Sequence, residues 1–111
     1  MKILLPVAFF TALLFTFSSD ASDLLRGRTV YERNCATCHG GYGKGDGPRA
    51  ETFNPKPVDF TDSAVMATIS PERFERAIVL GLPHVAEHRF GHLLMPEEVR
   101  DVTAYVRSLV R

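Results

Sequence analysis

Two cysteines and a histidine, Cys35, Cys38 and His39, stand within five consecutive residues, and the chain has no other cysteine. Thiols three apart with an imidazole directly after them permit three chemistries. They can form a redox disulfide, supply half of a zinc site, or attach a c-type haem. The disulfide reading needs a βαβ context, which this sequence lacks. Zinc needs a second ligand pair, and the remaining histidines, His84, His88 and His92, offer only a weak one. Haem attachment uses all three residues. The thiols add across the two vinyl groups as thioethers, and the adjacent imidazole lies under the iron as its proximal ligand. Cys35 and Cys38 are therefore the expected attachment points of one haem c, and His39 the expected iron ligand.

The chain before this motif divides in two. Met1-Lys2 is a short positive start, Ile3 to Phe17 is apolar, and Ser19 and Ala21 are small residues spaced for cleavage. This pattern predicts a signal peptide over residues 1–21 and a single domain over 22–111. The apolar run is about 15 residues, short of the ~20 that span a bilayer. Cleavage is therefore expected, with no stable membrane span left behind. Export fits c-type haem, which bacteria attach after secretion, and places the protein in the periplasm.

The whole chain carries 13 basic and 13 acidic residues, and the leader removes one of each. That balance gives no footprint for nucleic acid or an anionic membrane surface. A mature chain of about 90 residues buries only a modest core. A covalently held porphyrin supplies the missing apolar body.

Helices must position the motif. Leu24 to Ala36 reads as an amphipathic helix, capped by Ser22 or Asp23, with Leu24, Gly27, Val30, Tyr31 and Asn34 on one face. Gly27 is costly inside a helix unless another helix approaches closely there. Gly40 to Thr61 has no periodicity. It is rich in glycine and proline, and lacks the GK[ST] of a phosphate loop. It reads as a loop wrapping the haem edge, with Phe53 and Phe60 turned inward. Thr61 or Asp62 caps a short turn through Met66. Ser70-Pro71-Glu72 starts a further helix bearing Phe74, Ala77 and Ile78 and ended by Gly81 and Pro83. The last helix begins at Pro96 and carries Val99, Val102, Tyr105, Val106 and Leu109 as its apolar stripe. No alternating strand pattern occurs, so the expected class is all-α.

With these residues in view, the sequence resembles the class I cytochrome c family over essentially all of Ser22 to Arg111. The matching stretches are Gly27 with Tyr31, Cys35 through Gly40, Gly43-Lys44-Gly45-Asp46-Gly47-Pro48, Asn54 through Thr61, and Pro96-Glu97-Glu98 with Ala104 through Leu109. The resemblance implies an all-α fold whose first and last helices cross, with Gly27 and Tyr105 near the crossing. It implies that the Pro48 carbonyl accepts a hydrogen bond from His39 Nδ1. It also implies a carrier of single electrons between redox partner proteins. Such a carrier is not itself an enzyme, and is either free or a haem subunit of a larger oxidoreductase. Arg26, Arg28, Lys44, Arg49 and Lys56 are candidate docking residues, though a solvated surface is the ordinary fate of such groups.

The distal ligand departs from the family's pattern. The family carries a methionine, often followed by proline, well before the last helix. Aligning Phe90-Gly91 and Tyr105 puts Glu87 at the methionine position and His88 at the proline. Met95-Pro96 falls eight residues later, where Pro96 serves the last helix. Met66 is too early. A carboxylate suits a low-spin iron poorly, so His88 is the expected distal ligand, with Met95 and His84 as runners-up. An open or Glu87-bound position is the remaining possibility, and with it an alternative function: a haem that binds or turns over a small ligand. His84, His88 and His92 recur every four residues, but Pro83 and Gly91 oppose the helix that would make them a separate metal site.

Overall fold

Gly27 has no side chain, and that decides how the first and last helices meet. The computed structural model describes residues 2–14 and 20–111, and has no β-strand among them. Helix α1 spans Asp20–Asn34 and helix α5 spans Pro96–Ser108. They cross at Gly27, where a Cβ would overlap the Asp101 carbonyl oxygen and lie 2.9 Å from Tyr105 Cβ. Only a missing side chain permits that approach. The expected crossing and its residues are as observed. Arg26 Nε donates to Asp101 Oδ2 at 3.1 Å beside it, and also pairs with Asp23. Asp101 is largely buried, so the guanidinium balances its desolvation.

The core lies between these helices. Tyr31 is fully buried, and Val30, Val102 and Val106 pack around it with Phe60, Met66 and Phe74. The Tyr31 ring tilts against Tyr105 at 5.3 Å. Its hydroxyl donates to the Gly40 carbonyl at 2.5 Å, tying the helix to the chain beyond the cysteine motif. Partial or full burial falls on most of the stripe read for the last helix, Val99 to Leu109.

Three shorter α-helices and a single 3-10 turn at Ala50–Thr52 complete the fold. Helix α2 is Ala36–His39, α3 is Ser63–Met66 and α4 is Pro71–Leu80. Asp62 caps α3 by accepting from the Ala64 and Val65 amides at 3.0 and 3.2 Å. Ser70 caps α4 by accepting from Arg73 N–H at 3.2 Å, with Pro71 in the first turn. Both caps follow the residue types.

Both ends of the first helix differ from expectation, and it closes at Asn34 rather than Ala36. Helix α1 starts at Asp20 rather than Leu24, so Asp23 lies inside the helix, where its carboxylate faces Arg26 instead of capping the end. The helix therefore begins before the expected mature terminus at Ser22. Residues 2–14 form no helix or strand and are exposed. Ser19 and much of the expected cleavage region lie outside the described residues. No described helix is long and apolar enough to cross a membrane.

Candidate haem-attachment site

The motif sits where one helix hands over to the next. Cys35 N–H donates to the Tyr31 carbonyl at 2.8 Å, closing α1, and His39 N–H donates to the Cys35 carbonyl at 2.9 Å. Cys35 is thus the joint between α1 and α2. A single turn carries both thiols and the imidazole. The two cysteines are free and half-buried. Burial, with Cys38 alongside, pushes the Cys35 thiol up to about 12.

His39 is held on two sides. Its Nδ1 lies 3.0 Å from the Val58 carbonyl oxygen. A carbonyl can only accept, so Nδ1 carries the proton and Nε2 keeps a free lone pair. Phe60 stacks on the ring, with centroids 4.2 Å apart and planes 17° from parallel. Burial lowers the His39 pKa to about 4, against the Val58 bond, which favours the proton, and with help from His88, which opposes it. The imidazole is neutral at physiological pH, the form that binds a metal.

The acceptor is Val58, and this corrects the expectation of Pro48. Gly47 N–H donates to the Cys38 carbonyl at 3.0 Å and Arg49 N–H to the Thr37 carbonyl at 2.9 Å. These bonds commit the chain around Pro48 to the backbone of α2. The later segment turns back along the glycine-rich loop, with Phe60 N–H donating to the Gly43 carbonyl at 2.7 Å. That pairing sets Val58 and Phe60 beside the ring. Phe60 is inward, as expected. Phe53 is only half-buried, with the Arg49 guanidinium 5.7 Å from its ring centre.

Across from His39 stands His88. Their ring centroids are 6.3 Å apart and their planes meet at 74°. The chain from Gly81 to Gly91 folds back on the end of α4 and satisfies carbonyls that the helix leaves open. Phe90 N–H donates to the Ile78 carbonyl at 2.8 Å and Gly91 N–H to the Val79 carbonyl at 3.3 Å. His88 Nδ1 lies 3.1 Å from the Ala77 carbonyl oxygen. The same rule applies: Nδ1 donates and Nε2 is free.

The other candidates point elsewhere. The Glu87 carboxylate lies 3.7 Å from the Arg49 guanidinium on an exposed part of the surface. His84 is exposed on a turn, at φ 68°. Met95 precedes α5, its N–H donating to Glu98 Oε1 at 3.0 Å and its carbonyl accepting from Val99 N–H at 3.1 Å. Its side chain is exposed. Met66 is in the core. His84, His88 and His92 do not share a helix, since the segment holding them is a series of turns. Among the described residues no three or more His, Cys, Asp or Glu side chains gather as a metal site.

Two free thiols, a neutral imidazole on the same turn and a fixed Nε2 lone pair are the donor set that a covalent haem needs. The sequence family model for cytochrome c matches residues 24–110. The chain belongs to the cytochrome c family. This cytochrome is 30% identical over 110 residues to a cytochrome c6 of Nostoc sp. (strain PCC 7120 / SAG 25.82 / UTEX 2576), a match covering 94% of this chain and 86% of the relative. Among solved structures it is similar to the KustC0563 c-type cytochrome, with a TM-score of 0.65 and 31% identity over 77% of this chain and 98% of the other. The cytochrome is therefore an all-α, electron-carrying haem protein whose haem c is covalently bound.

Val58 and Ala77 escaped sequence reasoning. Each contributes only a main-chain oxygen, which has no residue-type signature. The sole available signal was indirect: Phe60 two residues after Val58, and Gly81 ending α4 close to His88.

Proposed function

We propose that this cytochrome is a periplasmic carrier of single electrons, holding one haem through Cys35 and Cys38 with His39 as proximal ligand. The observation carrying this reading is the His39 ring, clamped between the Val58 carbonyl and Phe60. An imidazole held in one orientation reorganises little when the iron changes charge. A hydrogen bond at Nδ1 also makes the free nitrogen a stronger donor. The bound haem supplies the one-electron couple. The protein residues would attach it through Cys35 and Cys38, offer the His39 imidazole to its iron and shield that ring from water.

One Cys-x-x-Cys-His motif supports one haem. The leader-like residues 1–21 support export. The partners are redox proteins, met either by a free carrier or within an oxidoreductase of which this chain is a haem subunit.

The test is expression of the full chain in a host that exports and matures c-type cytochromes. Acid–organic extraction should leave one haem per chain on the protein, recovered from the periplasmic fraction. The Cys35→Ala, Cys38→Ala double variant should yield little folded protein, because a chain of about 90 residues without its central apolar body lacks core. Haem that extracts freely from the wild type, or a well-folded double variant without haem, would contradict the proposal.

A further inference from the structure

We infer that His88 is the second axial ligand, so that the haem iron is held between two histidines where the family ordinarily uses histidine and methionine. The inference rests on the haem attachment proposed above and adds the ligand on the other side.

Three observations converge on it. The first is distance. An imidazole nitrogen bonds a first-row metal at about 2.0–2.1 Å and sits roughly 1.1 Å from its ring centre, so two imidazoles on opposite sides of one iron have centres about 6.2–6.4 Å apart. The observed separation is 6.3 Å. The second is tautomer. His39 and His88 each give Nδ1 to a main-chain carbonyl, Val58 at 3.0 Å and Ala77 at 3.1 Å. Each therefore keeps its lone pair on Nε2, the nitrogen left to bind a metal. A pair of surface histidines has no reason to share this arrangement.

The third is how His88 is placed. Ala77 carbonyl already accepts from Gly81 N–H at 3.1 Å at the end of α4. The next carbonyls are taken by Phe90 and Gly91, so the loop is pinned on both sides of the histidine. Gly81 makes the reversal possible. It sits at φ 88°, and a Cβ there would lie 2.8 Å from the His88 carbonyl oxygen. Phe90 packs edge-on against the His88 ring at 5.5 Å. The loop thus has one arrangement that both caps α4 and turns an imidazole toward His39. Glu87, next in sequence, is directed to Arg49.

The consequence is specific. Thioether ligation by methionine raises a haem potential, so an imidazole in its place should lower it. Near-perpendicular ring planes, 74° here, leave the two iron orbitals that bond the imidazoles close in energy. The ferric low-spin signal should then be strongly anisotropic.

The experiment uses purified holoprotein. In the ferric wild type, electron paramagnetic resonance should give one low-spin species with a large leading g value, and the near-infrared sulfur-to-iron band should be absent. The ferrous wild type should not bind CO. His88→Ala should turn high-spin and bind CO, and added imidazole should restore the low-spin spectrum. Met95→Ala and His84→Ala should keep the wild-type spectrum. A sulfur-to-iron band lost in Met95→Ala would overturn the inference in favour of Met95. A high-spin, CO-binding wild type would overturn it in favour of an open site. If His88→Ala fails to accumulate, the wild-type spectra together with an unchanged spectrum in His84→Ala and Met95→Ala still decide the matter. A chain with no covalent haem would instead sink the functional proposal, a distinct result.

Discussion

The two sides of the proposed haem site are built by opposite means. On the proximal side, Cys35, Cys38 and His39 share one helical turn, so local hydrogen bonding alone brings them together. On the distal side, His88 comes from a loop with no helix or strand, and is placed by returning to α4 eleven residues earlier in sequence. A helix turn tolerates changes around it, because its geometry comes from its own backbone. A folded-back loop depends on each contact that pins it. The proximal side should therefore keep its haem even where surrounding packing is lost, while the distal side should respond to small changes in backbone conformation.

The largest effect is expected from removing the aromatic wall behind His39. Phe60 is buried and touches the rings of Tyr31, His39 and Phe74. Phe60→Ala should cost about 3–5 kcal/mol of stability, the usual range for emptying such a site. The haem should stay attached, because the thioethers do not depend on Phe60. Chemical denaturation followed at the Soret band measures this. A change below about 1 kcal/mol would mean that the ring is not part of the core.

A smaller and different effect is expected from Gly81→Ala. A residue with Cβ at positive φ costs roughly 1–2 kcal/mol, and here it also meets the His88 carbonyl. Stability should fall by about that amount, and a high-spin fraction should appear as the loop shifts. Lost stability with an unchanged spectrum would separate the loop from the axial ligand.

The mildest change concerns the turn that leads into Phe60. Asp59 Oδ1 accepts from Thr61 N–H at 2.9 Å and from the Thr61 hydroxyl at 2.6 Å. These bonds, with Lys44 nearby, lower the Asp59 pKa from 3.8. A depressed carboxyl stabilises the fold above the unfolded pKa and loses that contribution as pH falls through the folded value. Asp59→Asn should therefore weaken the protein slightly near neutrality and flatten its acid dependence below about pH 4. An acid titration of the Soret band compares the two.

Those differences also decide what was legible beforehand. The turn that brings the proposed attachment residues together, the caps Asp62 and Ser70, the helix opened by Pro96 and the crossing at Gly27 are all written in side-chain type and spacing. Each depends on neighbours within a turn, or on one missing Cβ. Pro48 was misread because a hydrogen bond to a carbonyl belongs to the path of the loop, and the bonds of Gly47 and Arg49 to α2 take that path elsewhere. The start of α1 was misread because Asp23 finds Arg26 as a partner within the helix. His88 was visible only as a histidine near an expected position. The carbonyl of Ala77, which turns it, has no trace in the sequence.

The most direct test of the account as a whole is a potentiometric titration of the purified holoprotein with full visible spectra at each potential. It predicts a single one-electron step between two six-coordinate, low-spin spectra, at a potential below that of histidine–methionine relatives. A step to a high-spin, five-coordinate ferrous haem would contradict it, leaving a ligand-binding site where the account places a second histidine.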